Sequence, residues 1–255
     1  MAAREEHAPT LRVLGVLEAV GEEKGRISLT QIAEKTGWSK SSLFSVVHTL
    51  SNKGYLQASD GMYSLGLKAV ELGVNFLNQN DAMTEIRKII HVLVNTCMET
   101  AHLGVLESGN VVYLYKEECS QSIRMYSSIG KRIPAYGTAI GKALLSDSTI
   151  EEFHSYYPNG LEPLTPNTIT DFTVLFKQLS EVKSTGFAYE NEESNEMVCC
   201  IAVPILKDDK IVAAISVAMP VFRMNDEKRE LCKKALLIAK HSIESLLIYT
   251  GFVFL

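Results

Sequence analysis

With 255 residues, 46% hydrophobic and 22% charged, the chain carries enough apolar material for two compact domains, which excludes a disordered or low-complexity protein. Its longest interior apolar run, Ile211 to Phe222, is broken by Ser216 and Pro220, and no leader precedes the first helix, so a cytoplasmic location off the membrane is expected. Five cysteines without C-x-x-C spacing argue against a disulfide framework or structural zinc, and a net charge of −5 leaves room for a DNA-reading domain beside a larger acidic one.

Thr10 to Val20 is the first amphipathic helix. Leu29, Ile32, Ala33 and Thr36 form a stripe at helical spacing that stops at Gly37, a residue suited to the left-handed turn after a helix. Ser39 then stands as an N-cap, and Leu43, Val46, Val47 and Leu50 recur at i, i+3, i+4 and i+7, so one face of this second helix goes inward. The other face carries Lys40, Ser41, Phe44, Ser45 and His48, side chains suited to phosphates and base edges in a major groove. After Gly54, the runs Tyr55 to Gln57 and Met62 to Leu65 flank Ser59-Asp60-Gly61, whose Asp-Gly pair predicts a hairpin. Together these predict a winged helix-turn-helix over residues 1–65, with Ser39, Lys40, Ser41, Ser42, Phe44, Ser45 and His48 as the DNA-binding set. Lys plus Arg number seven over residues 1–65, against seven acids. A domain that neutral binds weakly alone and gains most from dimerisation on a palindromic duplex.

Residues 66–80 read as a linker helix with apolar positions on more than one side, able to pack against a partner subunit. Ala82 to Met98 is a further helix. The period then changes to two: His102 to Leu106, Val111 to Lys116 and Ser122 to Ile129 read as strands, the first pair joined by a hairpin at Glu107 to Asn110. Helices at Thr138 to Leu145, Thr149 to Tyr157 and Asp171 to Thr185 precede strands at Val198 to Leu206 and Ile211 to Ala218. A helix from Asn225 to about Tyr249 closes the chain, and the apolar tail Phe252 to Leu255 should pack on the body or a neighbour. Strands, then helices, then strands predict an α+β domain over residues 81–255 with an antiparallel sheet.

Several segments, in matching order, resemble the isocitrate lyase regulator (IclR) family of bacterial transcription factors. They are the winged helix, Gly61 to Gly66, Glu99 to Leu103, Val111 to Leu114, Ile123 to Met125, Gly141 to Leu145, Leu164 to Thr170 and Cys200 to Pro204. The resemblance implies an N-terminal DNA-binding domain, a C-terminal GAF-like effector domain, and homodimers that often pair into tetramers on operators. Repression is its more frequent mode, with activation the alternative. Where recognition helices of the family commonly carry Arg, this chain has Ser45, preceded by Phe44. In the effector domain Glu190 replaces a frequent Asp, the stretch before the second cysteine reads Met197-Val198-Cys199-Cys200, and Ala218 replaces a common Ser.

Read from the residues, the small-molecule candidate is Tyr136 to Gly141, a turn that opens a helix. Its unpaired backbone N–H groups and small side chains suit a carboxylate that approaches closely, although Gly137 and Gly141 can equally serve helix-to-sheet packing. The resemblance places the effector at Ala139 and Ile140, with polar contacts from Glu190, Cys200 and Ser216 and apolar walls from Met125 and Val198. A small organic acid, such as a 2-oxo acid, is the expected effector.

Two other classes compete. An enzyme would combine Cys199 or Cys200 with His102 and Glu190, but no nucleophile motif surrounds them and a Val-Cys-Cys-Ile-Ala-Val run reads as core, so no catalytic residue is expected. The six histidines include no i, i+4 pair, and neither metal nor cofactor is expected, His102 being the one that distant residues could complete into a site. A dimeric sensor without DNA readout is the other alternative.

Overall fold

The computed structural model describes residues 7–23, 25–78, 81–121 and 129–254. The chain divides into two compact units, Met1–Gln79 and Asn80–Leu255.

The first unit runs α1 (Ala8–Gly21), β1 (Ile27–Ser28), α2 (Leu29–Thr36), α3 (Lys40–Asn52), β2 (Leu56–Ser59), β3 (Met62–Leu65) and α4 (Leu67–Asn78). Its helices start and stop where side chains can satisfy their ends. Ser28 and Gln31 form a reciprocal capping box on α2, Gly37 closes α2 at φ 72°, and Ser39 accepts from the Ser42 N–H at the start of α3. Ser59 pairs with Met62 across Asp60-Gly61, both at positive φ, which is the two-residue turn whose twist matches antiparallel strands. Val16, Ile27, Ile32, Leu43, Val47 and Leu56 fill the core between helices and wing. Burying each is worth roughly 1.5–3 kcal/mol. The three-stranded sheet has order β1-β3-β2. Strand β1 leaves no signature in the sequence, because two residues are too few to show a period.

The second unit runs α5 (Asp81–Cys97), β4 (Thr100–Glu107), β5 (Asn110–Glu117), β6 (Arg132–Pro134), α6 (Ala139–Leu145), α7 (Ile150–Tyr156), α8 (Phe172–Thr185), β7 (Ala188–Asn191), β8 (Val198–Lys207), β9 (Lys210–Pro220) and α9 (Asp226–Thr250). One antiparallel sheet has order β6-β5-β4-β9-β8-β7. Alternation sends Ala101, Leu103, Ile201, Val203, Ile215 and Val217 to one face, where they meet residues of α5 and α9. Phe254 of the tail joins this layer, as expected. Ala188, Ala202, Ala214 and Val111 point the other way, to a layer containing residues of α6, α7 and α8. The expected strand at Ser122 to Ile129 lies outside the described residues up to 128, and Ile129 is in a turn. Strands β6 and β7 were not foreseen, both being short.

Strand β7 is a sheet edge, and side chains occupy one of its backbone carbonyls and the N–H just before it. Thr185 Oγ1 accepts from Phe187 N at 3.3 Å, and Lys142 Nζ donates to Tyr189 O at 3.2 Å. The Lys142 ammonium is 1% exposed and held by Glu193 at 2.6 and 2.7 Å and Gln178 Oε1 at 2.7 Å. An edge blocked this way resists pairing with another strand.

Candidate DNA-binding surface and effector site

The seven residues expected to meet DNA all fall on α3 or its cap, but they divide into two roles. Ser39 and Ser42 build the cap: Ser42 N donates to Ser39 Oγ and Ser42 Oγ donates to Ser39 O at 2.8 Å. Their hydroxyls are engaged with the helix end. Lys40, Ser41, Phe44, Ser45 and His48 are exposed along the face opposite Leu43, Val47 and Leu50. His48 follows Phe44 at i+4, and their rings lie parallel within 20° at 6.3 Å. Asn52 Nδ2 donates in turn to His48 Nδ1 at 3.2 Å. Asn52 thus extends the row by one turn; its i+4 spacing from His48 was the available signal.

In the second unit the register assembles most of the other predicted set. Thr100, Ala218, Cys200 and Glu190 lie in one row across β4, β9, β8 and β7. His102, Ser216, Ala202 and Ala188 form the next row on the same face. Residues of α6 pack over this face, with Ala139 and Ile140 buried beside Ala202 and Ala214. Val198 is half-buried at the start of β8, opposite Pro220, one row beyond Cys200. Met125 lies outside the described residues.

The turn opening α6 differs from its expected form in two respects. Thr138 caps the helix, accepting from Gly141 N at 2.9 Å, and Lys142 N donates to Thr138 O. The Ala139 and Ile140 N–H groups, in the first turn of α6, have no partner among the described residues, and these are the two positions the resemblance names. The glycines do not leave room for a ligand. A Cβ on Gly141 would lie 2.0 Å from Ala135 O, and one on Gly137 would lie 2.6 Å from Leu164 Cδ1. Packing against backbone requires Gly141, whereas at Gly137 the close atom is the tip of the Leu164 side chain, which can give way.

Glu190 is 2% exposed. Its Oε1 accepts from Glu193 N at 2.7 Å and Ser194 N at 3.1 Å, while Oε2 is buried without a hydrogen-bond partner among the described residues. Burial raises its pKa, opposed by the Ser194 N–H. Burial likewise pushes the Cys200 thiol well up, with Glu190 adding to it, and holds His102 down at about 3. At neutral pH the thiol and the imidazole are both uncharged, the opposite of an activated cysteine–histidine pair. His102 stacks on Tyr113, ring centroids 5.0 Å apart, and Tyr113 is within electrostatic reach of Cys200 and Glu190. A cleft of about 330 Å³ lined by Lys142, Gln178, Tyr189, Glu190 and Glu193 opens beside this end of the sheet.

A clamp with no local signature in the sequence holds the Glu190 loop. Thr165 Oγ1 donates to Glu192 O at 2.6 Å and Thr168 Oγ1 to Glu193 O at 2.7 Å, while Leu164 N and Thr165 N both donate to Thr168 Oγ1. The segment Leu164 to Thr168 is thus a structural staple. Lys142 and Glu193 join α6 to the same loop.

Residues 10–60 match the IclR helix-turn-helix domain and residues 74–244 the C-terminal domain of the bacterial transcriptional regulator IclR. The HTH-type transcriptional regulator KdgR of Escherichia coli K12 is 33% identical over 249 residues, spanning 96% of this chain and 94% of that protein. An IclR transcriptional regulator from Alicyclobacillus acidocaldarius superposes with a TM-score of 0.86 at 24% identity, covering 95% of this chain and 99% of the other. An IclR homolog from Microbacterium hydrocarbonoxydans, solved with 4-hydroxybenzoate, shares the fold at TM-score 0.77 and 21% identity, covering 93% and 99%.

Proposed function

Because this chain belongs to the IclR family of bacterial transcriptional regulators, DNA-binding proteins and not enzymes, we propose that it docks α3 of two protomers into a palindromic operator and is switched by a small organic acid. Residues 1–65 read DNA, residues 66–80 link, and residues 81–255 bind the effector. The observation that carries the DNA half is the exposed row Lys40, Ser41, Phe44, Ser45 and His48, backed by a buried helix face and flanked by a wing. Dimerisation is supported by α4, where Leu67, Val70, Leu72 and Val74 are all exposed. Paired dimers are the larger assembly this reading allows. Repression follows where the operator overlaps the promoter, since a bound dimer then excludes polymerase. Among the described residues no helix is long and apolar enough to cross a membrane. The site of action is the cytoplasm, with the chromosome.

The effector half rests on two groups without a geometric hydrogen-bond partner among the described residues: the N–H pair of Ala139 and Ile140, which suits a carboxylate, and Glu190 Oε2, whose carboxylate has the Cys200 thiol beside it. The carboxylate of the 4-hydroxybenzoate bound by the Microbacterium neighbour agrees with an acid as ligand. Cys200 and Ser216 complete the polar floor, with Val198 as a wall. A thermal-shift panel of small organic acids, 2-oxo acids included, tests this. At least one acid is expected to raise the melting temperature, with the rise lost in Glu190→Ala and reduced in Cys200→Ala. No rise with any acid, or a rise indifferent to both substitutions, contradicts it. Linkage requires an acid that weakens DNA binding to bind the DNA complex less well by the same factor.

A further inference from the structure

The outward face of α3 is unusual in what stands at its centre. Phe44 is 60% exposed, and its neighbours Ser41 and Ser45 are short, so the ring projects past them. The ring is braced: it lies parallel to His48, which receives a hydrogen bond from Asn52, so two further turns of α3 hold it. A preformed apolar plate loses little conformational entropy on docking. The same face offers one cation, Lys40, and the 65-residue unit is charge-balanced, so phosphate attraction alone supplies little affinity. What a major groove presents to an apolar plate is the 5-methyl group of thymine, the one apolar feature on a base edge there.

We propose that Phe44 is a specificity-determining residue that reads the thymine 5-methyl group in each half-site. This rests on α3 being the groove helix. Phe44 makes no charged contact, so it sets which sequence is bound and leaves the salt dependence to Lys40.

The test lets the full-length protein select its own site from a pool of random duplexes. The enriched duplex is then prepared with thymine or with uracil throughout, which removes only the methyls. Wild-type protein is expected to bind the uracil form more weakly, by about four-fold for each methyl that Phe44 covers. Phe44→Ala, with an unchanged melting temperature, is expected to bind the two forms equally and to keep the wild-type salt slope. Equal binding of both forms by the wild type, or a preference that survives in Phe44→Ala, overturns the assignment while DNA binding stands. If no duplex is enriched, the groove-helix reading falls and takes this inference with it.

Discussion

Replacing Glu193 with Ala is expected to cost about 3–5 kcal/mol of unfolding free energy, measured by urea denaturation of the full chain. The cost arises from what is left behind. Lys142 Nζ is buried and takes both Glu193 oxygens within 2.7 Å, so deleting the carboxylate strands an ammonium whose remaining partners, Gln178 Oε1 and Tyr189 O, carry no formal charge. Burial already lowers the Lys142 pKa and raises that of Glu193, each opposed by the other's charge. Lys142→Met should cost a similar amount by stranding the carboxylate. Lys142→Met with Glu193→Met should cost well below the sum, because the penalty belongs to an unpaired charge. Single costs under about 1 kcal/mol, or full additivity, would mean that the pair is solvated. The double variant should also expose the β7 edge, since Lys142 would no longer occupy Tyr189 O.

Gly141→Ala is expected to destabilise by about 3 kcal/mol, at the upper end of ordinary overpacking. The added Cβ would stand 2.0 Å from Ala135 O and 2.4 Å from Ala135 Cα, both backbone atoms, so α6 or the turn before it must move. That movement displaces the Ala139 and Ile140 N–H groups. Acid-induced stabilisation should therefore vanish even in the fraction that still folds. Gly73→Ala is the control: among the described residues nothing beyond its chain neighbours and its own helix backbone lies within 4 Å of its Cβ position, and within α4 the change should be neutral or stabilising by up to about 1 kcal/mol. A Gly141→Ala protein as stable as the wild type and still responsive to acid would show that the close approach is not maintained in solution.

The parts of the fold that could be read in advance have local causes. Gly37 and Ser39 punctuate α2 and α3, and the positive φ at Asp60-Gly61 and Ser108-Gly109 belongs to turns written in the dipeptides themselves. What escaped depends on contacts distant in sequence. Strand β7 escaped because Ala-Tyr-Glu-Asn places a glutamate on the buried side, which inverts the usual pattern. Lys142 and Glu193 lie 51 residues apart. The one hint was a lysine inside a short helix otherwise made of apolar and small residues. At the turn before α6 the sequence left ligand approach and helix packing both open for the glycines, since a missing side chain does not reveal what fills the space, and the Ala135 backbone fills it at Gly141. Ser39 was legible as the N-cap, and what the sequence did not show is that the Ser42 hydroxyl turns back to the Ser39 carbonyl.

The most direct measurement of the central claim is the salt dependence of binding between the full-length protein and DNA from upstream of its own coding sequence. A steep fall in affinity with salt is expected, with Lys40→Ala weakening binding broadly and lowering the log–log slope by about one per protomer. No binding at low ionic strength, or binding unchanged by substitution of Lys40, Ser41 and Ser45 together, would contradict the assignment of α3 as the helix that meets the duplex.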